Sequence, residues 1–230
     1  MANPVQKTAG AYAENPWMRY LVSFVPGGGN LDVALTAAWT DIQKQRAEAF
    51  FDALRRNCAI IPERLLNSED FFHCCEITAR SAAQTRQREK IRLFANPLAA
   101  GVTEKPPVSF QTEYEELLQI LDELSFREIR LLTTMAAFEA RFPRQSQEND
   151  LGRCNRYWSD LKRQACAELG IQEELFSGIL TRLNRTGLYE TIVGAYYDYT
   201  GERGKLTGLY YRLADVLQLE AESTGWRSGS

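Results

Sequence analysis

The chain is expected to be mainly α-helical, and three features of the sequence carry that expectation. Apolar residues recur at helical spacing over most of residues 30–96 and 113–185. At Gly187 the pattern changes to a β-branched and aromatic composition, typical of strands. Helical spacing returns after Thr207. Over residues 125–219 the order is therefore helix, helix, helix, two short strands, helix, which is the order of a winged helix. The expected architecture is an N-terminal helical hairpin/bundle region followed by a C-terminal winged-helix-like domain with a small β-hairpin.

Residues 1–16 are small, polar and proline-containing, and are expected to be disordered. A helical hairpin region is expected over 17–100. Trp17 to Val25 is a short apolar stretch, and Pro26-Gly27-Gly28-Gly29 is a turn. The glycines precede a helix, but no Lys-Ser/Thr follows them as in a phosphate loop. Asn30 can cap the next helix, with Asp32 in its first turn, and that helix is expected to run to about Asn57. Ser68 caps a second helix carrying Phe71, Phe72, Cys75 and Ile77, expected to continue until Pro97 ends it.

Residues 101–112, with Gly101, Pro106, Pro107 and Ser109, read as a loop or linker. The winged-helix-like domain is expected over 113–222. Tyr114, Leu117, Leu118 and Leu121 mark a helix. Ser125-Phe126-Arg127-Glu128 is a capping box, in which serine and glutamate each satisfy a free N–H at a helix start. Pro143 to Asp150 is a polar loop. Helices follow over Tyr157–Leu169, closed by Gly170, and Glu173–Arg185, with Leu175, Phe176, Ile179, Leu180 and Leu183 as its buried stripe. Strands are expected within Leu188–Val193 and Ala195–Tyr199, with a turn at Gly201 and Gly204. Thr207 caps a last helix, and 223–230 is expected to be a disordered tail.

Composition narrows the function classes. The 230 residues are 44% hydrophobic, enough for a real core. The net charge of −3 and pI near 5.5 give no global attraction to nucleic acid. Charge is evenly spread, with 17 Lys+Arg against 20 Asp+Glu in residues 1–150 and 10 against 10 beyond. The five cysteines, at 58, 74, 75, 154 and 166, are odd in number and follow no signal peptide, so a reducing cytoplasm is expected. They form no C-x-x-C, and His73 is the single histidine, so neither a metal site nor a cofactor is expected. No window of 18 apolar residues suggests a membrane span, and Trp17, Tyr20, Phe24 and Val25 are expected to pack and not to lie on a membrane surface.

In a winged helix, the helix before the hairpin commonly enters the major groove. The candidate nucleic-acid or partner contacts on this pattern are Arg182, Asn184, Arg185, Tyr197, Tyr199, Arg203 and Lys205. The objection is density. Docking on duplex needs several more cations, and Glu173, Glu174, Glu190 and Glu202 lie close by in sequence. A second candidate, an anion or partner face, is Arg86, Arg88, Lys90 and Arg92, although such a run is often only a solvated helix face. Tyr196, Tyr197 and Tyr199, with Tyr210 and Tyr211, suit either core packing or a protein interface. No catalytic constellation emerges.

The chain resembles the Abi-alpha group of abortive-infection proteins. The resemblance runs thinly over residues 20–217. It rests on Val25-Pro26-Gly27-Gly28 followed by Asp32, and on Thr85 to Asn96. It rests also on Leu124-Ser125, on Leu183 to Leu188, and on Leu206-Thr207. The stretch Ala95-Asn96-Pro97-Leu98 matches the group's pattern except for its proline. The resemblance implies a bacterial, cytosolic protein associated with phage defence or prophage, and it supplies no catalytic residues. The expected function is thus a non-enzymatic interaction or regulatory protein that binds a protein partner or itself. A winged-helix regulator of duplex DNA is the alternative, and an enzyme of unrecognised type is a third.

Overall fold

The computed structural model describes residues 42, 45–46, 48–54, 56, 69–103, 110–193 and 202–219. These are mainly helical with one two-stranded antiparallel sheet. The chain divides into two compact units, Met1–Leu121 and Asp122–Ser230. The loop expected over 101–112 is helical at both ends: one helix extends to Thr103 and the next starts at Phe110, while 104–109 lie outside the described residues.

In the first unit, helical residues within 42–56 precede α1 (Glu69–Gln84), α2 (Arg88–Thr103) and most of α3 (Phe110–Glu123). The core gathers Phe50 and Leu54, Phe71, Cys74 and Cys75 of α1, Ile91, Phe94 and Leu98 of α2, and Tyr114, Leu117 and Leu121 of α3. Thr78 is fully buried and stays satisfied: its hydroxyl donates to the Cys74 carbonyl at 2.6 Å and pairs with the Tyr114 hydroxyl.

Two expectations fail here. The single helix from Ser68 to Asn96 is broken at residues 85–87. The Thr85 hydroxyl turns back to the Ser81 carbonyl, and the Arg46 guanidinium takes the carbonyls of Ala83 and Gln84. These bonds satisfy the helix end that periodicity alone would have continued. Pro97 also does not stop α2, which runs through it to Thr103. Buried Phe94, Ala95, Leu98 and Ala99 carry the packed face across the proline. Their burial outweighs the ~3 kcal/mol that an interior proline costs.

The second unit begins with α4 (Phe126–Arg141), whose capping box forms as expected: Ser125 accepts from the Glu128 N–H, and Glu128 accepts from the Ser125 N–H. A short α5 (Asp150–Asn155), capped by Asn149, was not foreseen. Next come α6 (Trp158–Leu169) and α7 (Glu173–Arg185). Gly170 and Gly187, at φ of 60° and 76°, end them in the left-handed region that glycine adopts without steric cost. Leu175 does not belong to the buried stripe of α7. It is 57% exposed, and Phe176, Leu180 and Leu183 carry the packing.

β1 (Tyr189–Thr191) pairs with β2 (Gly204–Leu206), and α8 (Gly208–Leu217) follows, with Thr207 as its cap. The partner strand lies in the stretch expected to turn, so helix is not the only regular structure outside 188–199. The expected strand Ala195–Tyr199 falls outside the described residues. Tertiary contacts choose the pairing. The Ile192 N–H bonds the Arg203 carbonyl and the Thr207 N–H bonds the Leu188 carbonyl. In this register Leu206 and Gly204 turn their peptide groups away from β1. Both are met by side chains. The Leu206 N–H donates to Glu139 Oε1 at 2.9 Å, and the Gly204 carbonyl lies 3.5 Å from the Cys154 thiol. Glu139 of α4 is itself buried, and it also accepts from the Tyr211 hydroxyl at 3.1 Å and lies 3.5 Å from the Arg153 guanidinium.

Replacing Glu139 by alanine should therefore cost about 3–5 kcal/mol, the range for breaking a buried charge pair. Urea unfolding checks this, and a loss below about 1 kcal/mol would contradict the role assigned to Glu139. A Cβ at Gly204 would run into the Tyr189 ring and the Glu190 carbonyl, whereas one at Gly178 on the outer face of α7 meets open space. Gly204→Ala should thus destabilise by about 1–3 kcal/mol or more, while Gly178→Ala should stabilise by roughly 0.4–1 kcal/mol. Equal effects of the two substitutions would refute this account.

Candidate interaction surfaces

In the second unit, α7 and the ribbon hold the residues the sequence singled out. Phe176, Leu180 and Leu183 fix the inner side of α7 and leave Glu174, Ser177, Gly178, Thr181, Asn184 and Arg185 exposed. Arg182 is engaged. Its Nε lies 3.1 Å from Glu128 Oε1 and a terminal nitrogen lies 3.2 Å from Oε2, a two-pronged pair with a carboxylate only 4% exposed. Asn184 donates weakly to the Thr191 hydroxyl at 3.4 Å. Lys205 lies 2.8 Å from Asp150 and 3.8 Å from Glu190. Arg203 is half-buried, with its carbonyl in the ribbon and its charge close to Cys154. Among these candidates, Arg185 alone is exposed with no ion pair or hydrogen bond among the described residues. Tyr197 and Tyr199 lie outside the described residues.

Most described cations of this unit thus serve its own carboxylates. Lys162 pairs with Glu202, Arg156 with Glu148, and Arg144 with Asp150. Residues 122–230 hold 14 Lys+Arg against 16 Asp+Glu, so little positive potential is left over. Apolar surface is exposed instead, at Leu175, Val193 (92% exposed), Leu209 and Tyr211.

In the first unit, Arg86 lies in the turn between α1 and α2, and Arg88 and Arg92 lie on the outer side of α2; all three are exposed. Lys90 leaves that face: it is buried, with its Nζ 5.6 Å from the centre of the Phe94 ring. His73 meets Glu115 at 3.3 Å on an exposed surface.

Sequence reasoning missed Glu139 and Asp150, which hold the ribbon. Neither belongs to a local motif, because their partners lie 67 and 55 residues away. Glu128 was visible as a cap, but its pairing with Arg182 across 54 residues was not.

The described cysteines are not poised for chemistry. Burial, reinforced by the charges of Glu115 and Asp70, pushes the Cys74 thiol up to about 12. Burial raises Cys75 further, with neighbouring Cys74 adding to it. Burial also takes Cys154 to about 11, against the opposing effects of a Tyr157 hydrogen bond and the Arg203 charge. No cluster of three or more His, Cys, Asp or Glu that could hold a metal occurs among the described residues, and none of their helices is long and apolar enough to cross a membrane. No family model, curated protein or solved structure matches the chain.

The raised thiols make an alkaline prediction. Each holds its proton more tightly in the folded chain than in the unfolded one, where thiols ionise near 9.0. Their contribution to stability is complete below that pH and is lost as the pH rises towards about 12. Urea midpoints should fall as the pH rises above the unfolded thiol value. Below it, half-buried Cys166 should react first with a thiol reagent among the described cysteines, and Cys74, Cys75 and Cys154 only after unfolding. Rapid native-state labelling of Cys74 or Cys75 would contradict this.

Proposed function

We propose that this chain is a non-enzymatic interaction or regulatory protein whose C-terminal unit is a winged-helix-like module for a protein partner. The order α4, α5–α6, α7, β1, β2, α8 supports the winged-helix likeness. One observation carries the choice of partner: two of the cations on α7 and the ribbon are bound to carboxylates of the same unit, Arg182 to Glu128 and Lys205 to Asp150, and Arg185 is left as an exposed cation beside them. A protein that docks on duplex through phosphates needs such cations available, since phosphate neutralisation supplies most of the affinity. The exposed Leu175, Val193 and Tyr211 supply the apolar and aromatic contact area that protein partners use. The Abi-alpha resemblance makes phage defence the setting of this reading.

A duplex-binding regulator is the second reading. It is favoured by the small, polar outer face of α7, where Ser177, Gly178 and Thr181 would fit a groove beside Arg185.

Titration of a labelled random duplex, followed by fluorescence anisotropy, separates the two. At physiological salt the protein should bind no tighter than roughly the 10⁻⁴ M end of non-specific affinities. Tight, salt-sensitive binding that disappears in Arg185→Ala at unchanged melting temperature would place DNA first. Arg182→Ala is the poorer probe, because stranding Glu128 should itself cost about 1–2 kcal/mol. In the native host, a partner captured after nuclease treatment should be lost on Val193→Asp or Leu175→Asp.

A further inference from the structure

Arg86, Arg88 and Arg92 make a second surface, in the first unit, with chemistry of its own. All three are exposed, and none of their side chains forms an ion pair or hydrogen bond among the described residues. This contrasts with the second unit, where most arginines and lysines are bound to carboxylates. The three are not needed to finish the helix before them. The last carbonyls of α1 are already taken by Arg46 and Thr85, with the Arg46 guanidinium 3.0 Å from the Ala83 oxygen. Nor do they support the core, which Ile91 and Phe94 serve from the opposite side of α2.

We infer that this arginine corner binds an extended acidic segment of another protein. Arg88 and Arg92 are four residues apart on one helix face, with Cβ atoms about 5–6 Å apart. An extended peptide presents every second side chain on one side, at intervals of about 6–7 Å. Aspartates at alternate positions therefore meet successive guanidinium groups, each of which can take a carboxylate through two parallel N–H bonds. Arg86, in the turn, lengthens the track by one contact. The N-terminal end of α2, at Arg88, adds the positive end of its dipole.

Other anionic partners fit less well. Single-stranded nucleic acid is held largely by stacking on exposed aromatics, and the aromatic ring of this segment, Phe94, is fully buried. A membrane surface requires apolar side chains beside the basic ones to enter the lipid, and here Ile91 and Phe94 face the core. Duplex requires a larger field of cations than three arginines in a chain of net charge −3. The inference concerns the first unit alone and does not depend on the function proposed for the second.

The test uses the full chain and a fluorescein-labelled peptide of alternating Asp and Ser, with an Asn-Ser peptide as control. Anisotropy at low salt should show binding of the Asp peptide and little of the Asn peptide. Binding should weaken at least about tenfold in R86Q/R88Q/R92Q, with a shallower salt dependence. Polyuridylate and phosphatidylserine vesicles are run beside it. Equal binding of the two peptides, or an unchanged affinity in the triple variant, would overturn the inference, as would tighter arginine-dependent binding of polyuridylate or vesicles. A second measurement needs no variant. Phenylglyoxal modification of the wild type, mapped by mass spectrometry, should show Arg86, Arg88 and Arg92 protected by the Asp peptide. Absence of that protection would equally reject the proposal.

Discussion

The C-terminal unit depends on a carboxylate placed where water cannot reach it. Glu139 sits in the last turns of α4, buried, and a lone charge there would cost several kcal/mol. It is sustained because its oxygens are occupied by the Leu206 N–H, the Tyr211 hydroxyl and the Arg153 guanidinium. These partners come from β2, α8 and α5, so one side chain joins four elements. A two-stranded ribbon is marginal in water, and its outer edges invite pairing with other chains. Here Glu139 and Cys154 cover the outer edge of β2 with side chains.

That arrangement explains the electrostatics of the surface above it. The ribbon is tied to the helices by Lys205–Asp150 and Lys162–Glu202. The start of α4 is tied to α7 by Arg182–Glu128. Each partly exposed pair contributes little alone, ~0–1 kcal/mol. Together they fix geometry and neutralise the basic residues that a groove-reading surface would need. In this unit the scaffold holds most of the described cations.

What the sequence made legible was local. Ser125 and Glu128 announce a helix start because both partners of the cap lie within four residues. Gly170 and Gly187 announce helix ends because the backbone there must turn left-handed. Thr207 is legible as a cap for the same reason of short range. What was illegible was decided at a distance. The break at residues 85–87 needs Arg46, and the place of β2 needs Glu139. The passage of α2 through Pro97 needs a packed core that outweighs a local penalty. The candidate site divided in the same way. Residue type pointed to Arg182 and Lys205 as contacts, but their distant carboxylates had already engaged them, while Arg86, Arg88 and Arg92 kept the exposure that their sequence suggested.

Thr207 is bonded three times over a very short span. Its hydroxyl donates to the Gly187 carbonyl and accepts from the Tyr210 N–H, and its own N–H meets the Leu188 carbonyl. Entry to and exit from the ribbon are thereby stitched together at the base, beside the end of α7. A loop closed at its root in this way can be lengthened, shortened or rewritten at its tip at a cost that rises only slowly with length. The fold therefore separates what must be kept from what can diverge.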